Sequence, residues 1–192
     1  MIPLQKKFSS SMMDGRCFPE LIYFKKITSI PDFTNGRFAY VNFSNIKTIP
    51  NATSTNLVDP SYMNVVSMPN LTYAYAYPHG FNSWGGMKTP YPNSAFYFPK
   101  VESMYQIWNN WYSHGRIRWF VIGIEYESVV TIQHTVSLNG VLASSNFIGI
   151  FVPDNLVDTY KTAPFWSNAA QKIFGISEFV TRTGELLPKD NE

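Results

Sequence analysis

Residues 104–130 read MYQIWNNWYSHGRIRWFVIGIEYESVV, and the fold assigned to the chain turns on this stretch. Met104, Ile107, Trp108 and Trp111 stand at i, i+3, i+4 and i+7, which predicts a short helix with one apolar face. Ser113-His114-Gly115 then interrupts the pattern, and Gly115 admits the positive φ that a sharp change of direction needs. From Arg116 to Val130 the chain is β-branched and aromatic. Ile117, Trp119 and Val121 alternate with Arg118, Phe120 and Ile122, which predicts a long strand covered in part on both faces. A helix, a tight turn and a strand entering the core are expected here, with no catalytic motif.

Working outward, the flanks supply more short strands. Toward the N-terminus these are 21–27, 37–43 (RFAYVNF) and 45–49, with turns from Ile30-Pro31-Asp32 and Thr34-Asn35-Gly36. Residues 50–100 hold seven prolines, from Pro50 to Pro99, and read as mostly loop with one short strand at 71–77. Beyond the central strand the candidates are 129–136, 141–142 and 147–152, a short helix 167–173 capped at Gly175, and a last strand 177–183. No internal repeat is evident. The expectation is an all-β sandwich with long loops and one or two short helices. Its parts are a flexible arm at 1–20, one sandwich domain at 21–187 and a polar tail at 188–192.

The 192 residues suffice for one domain with a sizeable core. Charged residues are 15% and aromatics 17%, a balance that suits a surface meeting other protein and equally a β-rich protein with many polar loops. The net charge of +2 is too small to indicate nucleic-acid binding by itself. The uncharged run from Pro60 to Met87 is broken by Asn, Pro, His and Gly, so no membrane span is expected. No signal peptide is expected at the start. Asn-x-Ser/Thr triplets at Asn42, Asn51 and Asn70 then read as chance. Cys17 is alone, which excludes an intramolecular disulfide and a cysteine metal cluster.

Candidate chemistry is thin. His79, His114 and His134 are isolated and form no zinc-type pair. Glu125 and Glu127 would share one strand face about 7 Å apart, a separation that inverting glycosidases use. The plainer reading, a solvent-facing row, is preferred. Arg116 and Arg118 would share a face and hold an anion or pair across the sheet. No phosphate loop, nucleophile elbow or Cys/His arrangement is present, so no enzyme and no cofactor are expected. Tyr73, Tyr75, Tyr77, Trp84 and Tyr91 lie in uncharged, amide-rich loops. Rings beside amides can stack on sugar faces and bond hydroxyls, or else fill a small satellite core.

Several segments in order, Asn56-Leu57-Val58-Asp59-Pro60, Pro78 to Trp84, Tyr105 to Tyr112, Gly115-Arg116-Ile117 and Trp166 to Gly175, resemble motifs of the capsid proteins of small circular single-stranded DNA viruses. The resemblance spans 56–176. It implies an all-β fold, a single jelly-roll-type antiparallel β-sandwich, and a non-enzymatic virion protein, made in the host cytoplasm or nucleus, that self-assembles into an icosahedral shell. Its partners would be other copies of itself, other capsid chains, and a glycan or receptor. Tyr73, Tyr75, Tyr77, Trp84 and Tyr91 become subunit-interface candidates. Lys6, Lys7, Lys25 and Lys26 become candidates for weak contact with viral nucleic acid, since residues 1–26 hold only five basic residues. The alternative is a carbohydrate-binding β-sandwich that uses the loop aromatics.

Overall fold

The computed structural model describes residues 22–23, 38–42, 44–45, 47–49, 63–74, 94–104, 117–133 and 147–188. Their strands, in chain order, are β1 (Ile22–Tyr23), β2 (Phe38–Asn42), β3 (Thr48–Ile49), β4 (Met63–Ser67), β5 (Tyr73–Ala74), β6 (Ser94–Phe98), β7 (Ser103–Met104), β8 (Ile117–Ile122), β9 (Thr131–Ile132), β10 (Gly149–Val152) and β11 (Ile173–Gly175). They form two sheets. The long one runs β1-β2-β4-β6-β8-β10-β11 and the short one β3-β5-β7-β9. From β2 to β10 the described strands alternate between the sheets, and every pairing is parallel.

This overturns the antiparallel jelly roll. Antiparallel neighbours can be joined by a tight hairpin, whereas parallel neighbours need a long return path. Here that path carries a strand of the other sheet, so the chain winds as a β-solenoid with one strand of each sheet per coil. In the long sheet Phe38 pairs with Met63, Val65 with Ala95, Ala95 with Trp119, Trp119 with Gly149 and Ile150 with Ile173. The coils therefore advance by 25, 30, 24, 30 and 23 residues. The unequal steps hid a real internal repeat. Val41-x-Phe43, Val66-x-Met68, Phe96-x-Phe98 and Phe120-x-Ile122 each lead to a further apolar pair, Ile46-x-x-Ile49, Leu71-x-x-Ala74, Val101-x-x-Met104 and Val130-x-Ile132.

Packing follows from the register. Val66, Phe96, Phe120, Ile150 and Ile173 occupy one column of the long sheet. Adjacent strands lie about 4.8 Å apart, so equivalent side chains must touch. The Phe96 and Phe120 ring centroids are 5.4 Å apart, and Phe98 meets Phe120 edge-on at 5.6 Å. Leu71, Val101 and Val130, which lead into the short-sheet strands, are buried with Met104 in the same interior. The opposite face of the long sheet carries Ala95, Tyr97, Trp119, Val121 and Phe151, and these are buried as well. Phe179 covers them, edge-on to Trp119 at 4.9 Å and to Phe151 at 5.0 Å. A sheet covered on both faces accounts for the nearly continuous apolar residues of 95–98 and 119–122.

Local expectations also change. Met104 belongs to β7 rather than opening a helix, and 105–112 lie outside the described residues. The central strand ends at Ile122, where Gly123 takes φ +56° and the chain turns. Residues 177–183 are helical, not extended, and the expected helix 167–173 is a 3-10 segment, Trp166–Lys172, followed by β11. The section read as mostly loop because of its prolines contains β4 and β6 besides β5, which falls in the strand expected at 71–77. Pro69 and Pro99 sit just past β4 and β6, where no ladder donor is lost.

The C-terminal end of the solenoid is plugged. After a 3-10 turn (Asp154–Leu156) come helix α1 (Val157–Thr162) and the 3-10 segment of Trp166. The last described short-sheet coil would leave backbone groups unpaired, as any solenoid end does. The Val130 N–H donates to Tyr160 Oη at 2.9 Å, and Trp166 Nε1–H donates to the Val130 carbonyl at 2.8 Å. The two rings meet edge-on at 5.4 Å. Phe165, at φ 70° and ψ −54°, makes a γ-turn in which Trp166 N–H bonds the Pro164 carbonyl. That turn is rare and strained for a side-chain-bearing residue. It brings Phe165 edge-on to Trp166 at 5.1 Å.

Burial raises the Tyr160 hydroxyl pKa to about 12. The protonated form is the one the fold holds. This group therefore contributes its full stabilisation below the unfolded value near 10, and that contribution is lost as pH rises from there through 12. The total loss is about 2–3 kcal/mol. Urea midpoints at pH 8, 10 and 11 are expected to fall more steeply for the native chain than for Tyr160→Phe. Parallel curves would contradict the assignment.

Candidate functional site

Of the residues singled out from sequence, Tyr73 is placed in β5, within the short strand expected at 71–77. Tyr75, Tyr77, Trp84, Tyr91, Lys6, Lys7, Lys25, Lys26, His79, His114, His134 and Arg116 lie outside the described residues. Glu125 and Glu127 are exposed in the turn after β8, so they do not share a strand face. The Glu125 carboxylate instead lies 3.8 Å from Lys100 Nζ. The two-carboxylate glycosidase geometry is thereby removed. No group of three metal-ligating side chains occurs among the described residues, and no helix among them is long and apolar enough to cross a membrane.

Two polar features are built by the coil repeat. The first is a corner ladder. Asn70 Nδ2 donates to the Ser44 carbonyl at 2.7 Å, and Lys100 Nζ donates to Asn70 Oδ1 at 2.9 Å. With Glu125 beyond Lys100, four successive corners are tied together, each tie weak where it is exposed. The Asn70 amide is thus spent on structure. Asn42 is buried in β2, so neither triplet offers a free acceptor for glycosylation.

The second is an outward column on the short sheet. Tyr73 pairs with Thr48 on one side and Ser103 on the other, and Ser103 pairs with Thr131. Met104, the next residue along β7, is buried. Strand alternation therefore turns the Tyr73, Ser103 and Thr131 positions away from the interior. Tyr73 and Ser103 are half-buried and Thr131 is exposed. Every member carries a hydroxyl, one carries a ring, and none is charged. Exposed Lys47 and Glu102, each one residue before its strand, flank the column with opposite charges. Ser103 and Thr131 were missed in the sequence. Their signal was the recurring hydroxyl-then-apolar pair that closes each repeat: Thr48-Ile49, Tyr73-Ala74, Ser103-Met104 and Thr131-Ile132.

On the far side, Arg118 is held by the C-terminal segment. Its Nη2 donates to Glu185 Oε2 at 2.7 Å, and Trp119 Nε1–H reaches the same oxygen at 3.2 Å. A charge-assisted bond of this half-sheltered kind contributes about 1.5–3 kcal/mol. Helix α2 (Phe179–Thr183) precedes this contact and ends at Gly184, φ +71°. Beside α2, Arg182 lies over the Phe174 ring at 3.5 Å and bonds Glu178. Both line an open groove of about 550 Å³ with Ile148, Ser177 and Thr181.

Comparison with protein-family models, curated proteins and solved structures finds no match for this chain. The capsid resemblance therefore stands on its quoted motifs alone.

Proposed function

We propose that this chain is a non-catalytic recognition module whose solenoid binds a neutral glycan along the outward column of the short sheet. The observation that carries the reading is the column itself, with Tyr73, Ser103 and Thr131 in one register. Successive strands repeat every 4.8 Å or so, a spacing on the scale of one sugar ring. A ring face and neighbouring hydroxyls are the groups that sugars take up, and the absence of charge in the column suits an uncharged polymer. This keeps the carbohydrate alternative but moves it from loops to a strand face.

The shell reading is the weaker proposal. It rested on a jelly roll, which the parallel sheets replace, and on lateral contacts through 50–100, where 63–74 and 94–100 are strands and corners. A virion part of another kind needs no jelly roll and is compatible with glycan binding.

The test is retention on a panel of immobilised neutral polysaccharides, with light scattering on the same sample. Binding by a small oligomer, weakened at least tenfold by Tyr73→Ala with little change in melting temperature, is the expected result. Uniform particles of tens of subunits, or binding indifferent to Tyr73→Ala, would overturn it.

A further inference from the structure

We propose that Arg118 and Trp119, with the apolar cluster beside them, form an exchangeable peptide site. In this structure it is filled by the chain's own Glu185-Leu186-Leu187, and the same segment of a second copy can fill it instead. The site is on the long sheet and is independent of the glycan column.

The segment has the form of a bound ligand. Glu185 inserts its carboxylate between Arg118 Nη2 and Trp119 Nε1. Leu187 packs against the cluster of Ala95, Trp119 and Phe151. Leu186, between them, points away and is 77% exposed. The recognition element is therefore a carboxylate followed two residues later by an aliphatic side chain, the spacing that puts both on one side of an extended strand. Gly184 provides the hinge. It sits at φ +71°, and an added Cβ would meet nothing within 4 Å, so its neighbourhood is open for the chain to swing. The cover contributed by Phe179 lies before the hinge and remains when the segment leaves. A short segment joined through an open hinge to a complementary site on its own body is the arrangement that permits exchange between identical chains.

The full chain carrying Glu185→Ala and Leu187→Ala empties the site, and a labelled peptide of residues 184–192 probes it by fluorescence polarisation. Saturable binding is expected, weakened at least tenfold when Arg118→Met is added or when the peptide carries Glu185→Gln. A cooperatively melting variant that binds no peptide overturns the proposal. The unmodified chain gives a second reading that needs no variant to fold. Excess peptide should accelerate tryptic cleavage after Arg182, and the chain refolded at high concentration should yield a dimer by light scattering. Cleavage unaffected by peptide refutes exchangeability, and a chain that stays monomeric refutes the second copy as occupant.

Discussion

Trp166→Ala is expected to lower the unfolding free energy by about 4–8 kcal/mol, the largest effect of any single truncation at the plug. Emptying a fully buried indole site costs about 3–5 kcal/mol by lost transfer and cavity formation. The substitution also orphans the Val130 carbonyl, which Trp166 Nε1–H satisfies at 2.8 Å, and a buried unpaired acceptor adds about 1–3 kcal/mol. A domain with roughly 5–15 kcal/mol in total would be left marginal or unfolded at room temperature. Trp166→Phe separates the two contributions, because it keeps most of the burial and removes only the donor, for an expected loss of about 2 kcal/mol. Urea unfolding gives both numbers. Amide hydrogen exchange supplies the location, with faster exchange expected first at Thr131 and Gln133, whose N–H groups bond the coil before. Equal losses in the two variants would mean that the plug works through the Trp166 hydrogen bond alone.

Phe120→Ala should cost about 3–5 kcal/mol for a different reason. Phe120 is fully buried in the middle of the ring column, in contact with both Phe96 and Phe98. Its removal opens a hole between coils that β8 cannot close, since the strand is bonded to β6 on one side and β10 on the other. Phe120→Leu, which keeps most of the volume, should cost under about 2 kcal/mol. Denaturation with a full hydrogen-exchange map distinguishes this site from the plug. Loss of Phe120 should weaken coils on both sides, whereas loss of Trp166 should act from one end.

Much of the secondary structure was legible. Strands were expected at 37–43 and 147–152, and β2 and β10 fall there. Period-two alternation reports that a segment is extended and which faces are covered, and both held for 117–122. It carries no information on the direction of the neighbouring strand, because parallel and antiparallel ladders use the same alternation. Direction is decided by the return path, and here the return path was misread. Pro69 and Pro99 were taken to break strands when they mark corners. Met104 was expected to share a helical face with Ile107, Trp108 and Trp111, yet it stands three residues after buried Val101 across a corner whose intervening residues, Glu102 and Ser103, are not buried. A three-residue apolar spacing is common to a helix and to such a corner. The site was less legible still. Tyr73 could be named as an aromatic, but its alignment with Ser103 and Thr131 exists only once the coils are stacked. Glu185, 67 residues from Arg118, had no local signal at all.

The plug at one end makes molecular length a quantised quantity. The Tyr160 and Trp166 contacts fall on a single residue, Val130, of the coil they cover, so they are blind to how many coils lie beneath. An in-frame duplication or loss of one whole turn changes the height of the column by about 4.8 Å and leaves that lid seated as before. A change of half a turn puts the wrong sheet under the lid. Lineages and engineers alike can therefore use such a scaffold as a ruler whose graduations are coils, provided that they count in whole ones.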